Sequence, residues 1–259
     1  MNVFDKPDEQ RERVHSVVAK KGRMKSNKII ESLREATAGM NAQQVLAYFM
    51  QKYRGQVALS SSLSYEDQTI TQMMVQIDPN ARIFTLDTGR MFPETYELLD
   101  KTCMKYKIKI EVYFPDYNKV QEMVRQHGIN LFYESVELRH KCCEIRKIEP
   151  LKRALKDVSV WVSGLRREQS PTRKDMQMIE WDESDSVIKL NPLIDWTEDM
   201  VKDYVKANHI PYNKLHDKGF PSIGCQPCTR AVAPGESIRA GRWWWEDPDH
   251  RECGLHVKR

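Results

Sequence analysis

Gln56-Val57-Ala58-Leu59-Ser60-Ser61-Ser62-Leu63-Ser64-Tyr65-Glu66-Asp67-Gln68 passes from a short apolar run through a serine-rich turn into a helical pattern. Val57 to Leu59 reads as a buried strand, and the periodicity from Glu66 to Gln76, closed by a turn at Asp78-Pro79, predicts a helix. This is one β–loop–α unit, and it repeats. Ile83 to Leu86 predicts a second strand, turning through Asp87-Thr88-Gly89 into a helix that starts after Pro93, where proline suits the first helical position. Ile108 to Phe114 predicts a third strand, followed by a helix from Tyr117 to His127 that Gly128 can end in a left-handed conformation.

The same alternation extends in both directions. Asn41 to Tyr53 reads as a helix with Asn41 as N-cap and Gly55 beyond its end. Ile145, Ile148, Leu151 and Leu155 fall on one helical face, Val158 to Ser163 reads as another strand, and Thr197 opens a last helix with Glu198 and Asp199 in its first turn. Strands alternating with helices imply an α/β fold: a mostly parallel sheet with right-handed crossovers and helices on both faces. Such sheets bind ligands at the carboxyl ends of their strands, where the polar loops fall.

The chain has 259 residues, 40% hydrophobic and 30% charged, with a formal net charge of +4. These are ordinary values for a globular protein, and no apolar run reaches bilayer length. Met1 to Gln10 carries Asp5, Asp8 and Glu9 and no apolar core, unlike a secretory or transit segment. A reducing, cytoplasmic compartment is the expectation, in which cysteines serve as ligands or reactive thiols rather than as disulfides. Six basic residues and no acids lie between Arg13 and Lys28; a solvated helical face explains them more simply than RNA binding does. No internal repeat or second-domain boundary is evident.

Five of the six cysteines are patterned. Cys142 and Cys143 are adjacent, Cys225 and Cys228 form a C-x-x-C, and Cys253 stands near the end. A C-x-x-C turn aims two thiolates at one centre, and neighbouring ligands suit a large centre, which favours an iron–sulfur cluster over a four-thiolate zinc ion. Cys253 lies in Glu252-Cys253-Gly254-Leu255-His256, a tail suited to a nucleophile that swings between partners. Cys103 matches no pattern and reads as a packing residue.

Three loops suit an anionic nucleotide. Ser60, Ser61, Ser62 and Ser64, with Glu66 and Asp67, offer backbone N–H groups and hydroxyls at a helix N-terminus; a serine cap alone would look the same. Leu86-Asp87-Thr88-Gly89-Arg90 pairs a tight turn with polar contacts for a sugar or base. Gly164-Leu165-Arg166-Arg167, with Arg173, brings guanidinium groups that match phosphate or sulfate oxygens. Trp243-Trp244-Trp245 either closes over a site or pins the tail, and pinning is preferred. His209, His216 and His250 have no motif partner and read as structural or surface residues.

These motifs, in this order from about Gly55 to His256, resemble the assimilatory adenosine phosphosulfate and phosphoadenosine phosphosulfate reductases, and the cysteine set resembles their iron–sulfur branch. The resemblance implies an adenine nucleotide alpha hydrolase-like (PP-loop-like) fold with a mobile tail. It implies reduction of adenosine 5′-phosphosulfate (APS) to sulfite and AMP, with the 3′-phosphorylated substrate, or both, as the alternative. Cys253 would attack sulfur and form an S-sulfocysteine that thioredoxin or glutaredoxin resolves. Lys147, Arg239, Arg242 and His256 would stabilise charge there, and the Ser60–Asp67, Leu86–Gly89 and Gly164–Arg167 loops would bind substrate. Cys142, Cys143, Cys225 and Cys228 would hold one [4Fe–4S] cluster per subunit. Homo-oligomers fit such a family, while nucleic acid and membrane are not expected partners.

The expected organisation is a basic N-terminal extension over 1–40, a nucleotide- and cluster-binding domain over 41–230, and a tail over 231–259 with the catalytic cysteine. Many relatives have glycine where this chain has Ser64, so the phosphate contacts of that loop are open to change. Two rivals of other classes are an RNA-thiolating ATP pyrophosphatase and an iron–sulfur nucleic-acid sensor. The absence of a Gly-Gly phosphate loop and the terminal ECGLH weigh against the first.

Overall fold

The computed structural model describes residues 26–170 and 173–247. Six strands form one sheet in the order β3-β2-β1-β4-β6-β5: β1 (Val57–Ser60), β2 (Arg82–Leu86), β3 (Glu111–Tyr113), β4 (Val160–Val162), β5 (Ile179–Asp182) and β6 (Val187–Leu190). All pairs are parallel except β5 with β6. The helices are α1 (26–36), α2 (Ala42–Lys52), α3 (Tyr65–Ile77), α4 (Pro93–Tyr106), α5 (Tyr117–His127), α6 (Val136–Cys143), α7 (Glu149–Ala154) and α8 (Glu198–Ala207).

The strand pleat sorts side chains onto two faces. Val57, Leu59, Ile83, Val160, Val162, Ile188 and Leu190 bury against α1 to α4, whereas Ala58, Phe84, Trp161 and Val187 bury against Leu151 and Ala154 of α7. Because both faces are covered, the strands read as continuous apolar runs. Ile30 and Leu33 of α1 belong to the same core as α2 and β1, so residues 26–36 are packed into the body of the domain. Cys103 packs partly buried against that core. Among the described residues no helix is long and apolar enough to cross a membrane.

Several boundaries differ from the sequence expectation. Asn41 caps α2 in a reciprocal arrangement with Gln44, as its position suggests. Gly128 closes α5 with φ 76° and ψ 167°, a glycine conformation but not a left-handed helical one. The strand expected from Ile108 pairs only over Glu111–Tyr113. The β5–β6 hairpin was not foreseen: its connection holds no Gly or Asn-Gly signal, and Ser186 supplies the positive φ of 53°. The helical run expected around Ile145 to Leu155 begins earlier, at Val136, and passes from α6 through a π-helical turn at Glu144–Ile148 into α7.

Candidate active site

Strand β1 is flanked by β2 on one side and β4 on the other, so the chain order reverses beside β1 and the following loops diverge there. A cavity of about 640 Å³ fills that crevice. Ser60, Ser61, Ser62 and Ser64 line it from the β1 loop, Leu86 and Thr88 from the β2 loop, and Gly164 and Arg166 from the β4 loop. Lys147, Arg239 and Arg242 reach it from distant segments.

The loop after β1 is held in an unusual shape. Leu63, buried, has φ 61°, and its N–H is accepted by Ser61 Oγ at 3.1 Å. A leucine in the left-handed region is strained, a cost that is common where a backbone must face a ligand. Ser64 sits at φ −69° as the N-cap of α3, its Oγ accepting from Asp67 N. Ser64 is therefore unstrained, and it turns its hydroxyl to the helix end.

Asp67 and Glu66 knit the loops together. Asp67 Oδ2 accepts from Ser62 N and Ser62 Oγ, both at 2.6 Å, and the Gly164 backbone also donates to this carboxylate. Glu66 Oε1 accepts from Arg166 Nε at 2.7 Å, both groups being buried. A Cβ on Gly164 would lie 2.3 Å from Asp67 Oδ1 and 2.9 Å from Glu66 Cβ. Gly164→Ala is therefore expected to cost about 1–3 kcal/mol by overpacking, read as a lower denaturation midpoint.

Burial pushes the Asp67 carboxyl up to about 6, outweighing the Ser62 donors. The folded state thus holds this proton more tightly than the unfolded chain, whose carboxyl titrates near 4. The stability from this group is full below pH about 4 and is lost as pH rises through about 6. Between pH 4 and 7 the native chain is expected to lose about 2–3 kcal/mol relative to Asp67→Asn, measured by chemical denaturation at each pH.

Three sequence-derived candidates lie outside the cavity wall. Asp87 Oδ1 accepts from Gly89 N at 2.7 Å and from the Tyr96 hydroxyl at 3.0 Å, which shapes the turn. Gly89 supplies the φ of 71° that this turn needs. Arg167 points away to Asp195 at 2.6 Å. Cys253 and His256 lie outside the described residues. The cavity wall adds residues that carried no motif: Tyr65, Trp161, Lys202 and His216. His216 stacks on Tyr65 with ring centroids 4.2 Å apart, and its Nδ1 meets Phe220 O at 2.8 Å. Burial lowers its pKa, which favours the neutral ring. An aromatic or histidine in an apolar context gives no sequence signal of facing a cavity.

The four patterned thiols converge beside the cavity. Cys142, Cys143, Cys225 and Cys228 line one small adjoining space together with Thr88, Arg146 and Lys147, so Thr88 and Lys147 border both. The π-helical turn sets this register: its extra residue lets Cys142 and Cys143 face the C-x-x-C loop while Lys147 reaches the nucleotide-sized cavity. Thr88 Oγ lies 3.2 Å from Cys225 Sγ, and Arg146 Nη1 donates to Thr88 O at 2.6 Å. Among the described residues no three His, Cys, Asp or Glu side chains are spaced to hold a single metal ion.

The donor set nevertheless fits a polynuclear centre. Burial, then crowding by the Cys225, Cys143 and Cys142 thiols, pushes the Cys228 thiol up. Burial likewise raises the Cys142 thiol, so these two ionise readily only beside added positive charge, which an iron–sulfur cluster would supply. Trp243 packs against Cys142 and Cys228, and its buried indole N–H has no acceptor among the described residues. An orphaned donor beside these thiols suits a bound group that carries acceptor sulfur.

The late segment is fixed by many ties. Tyr133 donates to Pro227 O at 2.6 Å, Trp243 N to Cys228 O at 3.2 Å, and Trp245 meets Tyr133 with ring centroids 4.4 Å apart. Trp243, Trp244 and Trp245 are not among the cavity-lining residues; Trp244 and Trp245 pin the segment to Phe132 and Tyr133, while Arg139 lies over the Trp243 ring. Gly224 leaves room for the Arg242 guanidinium, which a Cβ there would meet at 2.3 Å.

Residues 56–231 match the phosphoadenosine phosphosulfate reductase domain. The chain belongs to this family. An adenosine 5′-phosphosulfate reductase of Burkholderia cepacia is 51% identical over 201 residues, covering 78% of this chain and 80% of the relative. The crystal structure of a phosphoadenylyl-sulfate reductase from Candida auris, a phosphate complex, superposes with a TM-score of 0.68 at 27% identity, over 80% of this chain and 98% of that one. A Candida glabrata FMN adenylyltransferase shares the fold, with a TM-score of 0.51 at 13% identity over 89% of this chain and 76% of its own. For a phosphoadenosine phosphosulfate reductase domain, the crevice beside β1 is where a nucleotide belongs.

Proposed function

We propose that this chain reduces APS to sulfite and AMP, taking electrons from a thioredoxin or glutaredoxin in a reducing, cytoplasmic compartment. One observation carries the reading: a nucleotide-sized crevice at the β1 switch point, ringed by hydroxyls and backbone, with Lys147, Arg239 and Arg242 gathered on its wall. Cationic groups placed there hold the phosphosulfate and offset charge as AMP departs. The unphosphorylated nucleotide is preferred because the relative at about half identity carries that substrate in its name.

The Cys253 thiolate attacks the sulfate sulfur, an S–S bond forms, and the S–O bond to the phosphate breaks, releasing AMP as an anion. A thioredoxin thiolate then attacks Cys253 Sγ. Sulfite leaves with the bonding electron pair, and the second thioredoxin thiol resolves the mixed disulfide, regenerating Cys253. AMP is a stable anion, so its departure needs no general acid. Cys142, Cys143, Cys225 and Cys228 would hold a [4Fe–4S] cluster, which when bound supplies positive charge and clamps the C-x-x-C loop to α6. His256 is proposed to assist the thiolate electrostatically.

The test is direct. Protein purified without oxygen is expected to be brown, to contain iron and acid-labile sulfide, and to release AMP and sulfite from APS with reduced thioredoxin and no ATP. A colourless protein with one tightly held zinc would overturn the ligand assignment, and a requirement for ATP would overturn the reaction. Side-by-side kcat/KM values for the two nucleotides measure the substrate choice.

A further inference from the structure

Strand register brings together four side chains that no motif connects. Ala58 of β1 is paired with Trp161 of β4, and Trp161 with Lys189 of β6. Ser60, two residues beyond Ala58, shares their face of the sheet. With only a methyl group at Ala58, the Trp161 indole can lean along β1 towards its carboxyl end. There its Nε1 donates to Ser60 Oγ at 2.7 Å. The Lys189 ammonium lies 4.8 Å from the centroid of the same indole, a cation–π contact that holds the ring plane and withdraws electron density from the N–H.

An indole nitrogen only donates, so the Ser60 oxygen is the acceptor and the hydroxyl hydrogen must point elsewhere. Among the described residues Ser60 Oγ makes no second hydrogen bond, and Ser60 lines the large cavity. We propose that Trp161 is a positioning residue that locks the Ser60 hydroxyl as a donor towards an acceptor-only group of the bound nucleotide, a phosphate oxygen or an unprotonated ring nitrogen. Without the indole the hydroxyl rotates freely and offers a lone pair as readily as a proton. This deepens the function proposed above and rests on it for the identity of the ligand as an adenine nucleotide.

The experiment measures binding of AMP and of adenosine to the whole protein by calorimetry, for the native chain, Trp161→Phe, Ser60→Ala and the double variant. Trp161→Phe keeps a ring over Lys189 and removes only the donor. Each single variant is expected to weaken AMP binding about five- to tenfold, the size of one hydrogen bond. The double variant should lose no more than about twofold beyond either, because both break one contact. In turnover the loss should appear in KM rather than kcat, a split that general loosening of the core would not give. Adenosine affinity that is untouched assigns the phosphate as acceptor; an equal loss assigns the ring nitrogen. Additive losses, or a Trp161→Phe protein that binds AMP like the native chain, overturn the proposal. Should Trp161→Phe fail to fold, Ser60→Ala decides alone, because unchanged AMP affinity in it is equally fatal. A native chain that binds neither ligand would overturn the nucleotide reading itself, whereas native binding with unaffected variants removes only the role of Trp161.

Discussion

Cys253→Ser is expected to lower sulfite formation by about three orders of magnitude or more while leaving APS binding intact. A thiolate is a competent nucleophile near neutral pH, whereas a serine hydroxyl without a base is not. The described cavity wall is lined by the β1, β2 and β4 loops and by Lys147, Lys202, Arg239 and Arg242, which offer an anion its contacts without a nucleophile. Binding should therefore survive while chemistry does not. Trapping by mass spectrometry should find an S-sulfonate on the native protein and none on the variant. Sulfite released at the native rate would remove Cys253 from the mechanism, and loss of binding would place it in the site's architecture.

Glu246→Ala should destabilise the fold by about 3–5 kcal/mol. Arg139 of α6 and Glu246 form a two-point ion pair, with Nε to Oε1 at 2.9 Å and Nη2 to Oε2 at 2.8 Å. Their side chains are 0% and 3% exposed, so removing the carboxylate takes from a buried guanidinium the counter-charge of this two-point pair. The guanidinium also lies 4.6 Å from the Trp243 ring centroid, in the cluster of side chains containing Cys142 and Cys228. Replacing both partners by apolar residues, Arg139→Met with Glu246→Leu, is expected to recover most of the loss, because both charges of the pair are removed together. Denaturant midpoints of the single and double variants give the answer; a single-variant loss below about 1 kcal/mol would contradict it. Iron content should fall with Glu246→Ala, since the pair clamps the late segment to the helix bearing Cys142 and Cys143.

Much of this was legible in the primary structure. The apolar triplets before Ser60 and Ser163 and the helical spacing after each loop set the alternation that the sheet realises, with α3 and α5 close to their expected spans and α4 and α8 starting where expected. The β5–β6 hairpin was hard to read because Glu183, Ser184, Asp185 and Ser186 mark a polar loop, closed by Asp182 Oδ1 accepting from Ser184 N and Asp185 N, but carry no Gly or Asn-Gly to name a hairpin. The π-helical turn was illegible for another reason: Glu144 to Ile148 has ordinary helical residues, and only packing of α6 and α7 selects the wider turn.

The candidate site divides in the same way. Serines, LDTG, the Arg166 loop and the cysteine pattern named, through residue type and order alone, candidate groups for an anionic ligand and four thiols that the fold brings to one small space. Which of these side chains face the cavity required coordinates. Asp87 and Arg167 are diverted by local partners, Tyr96 and Asp195, whereas Trp161 and His216 enter the wall without any motif. Residue chemistry and local periodicity are properties of short segments, so the sequence by itself determined the α/β class and the family and named the candidate groups. Orientation, burial and the meeting of Cys142 with Cys228, or of Trp161 with Ser60, depend on strand register and long-range packing. Only the tertiary structure decided those.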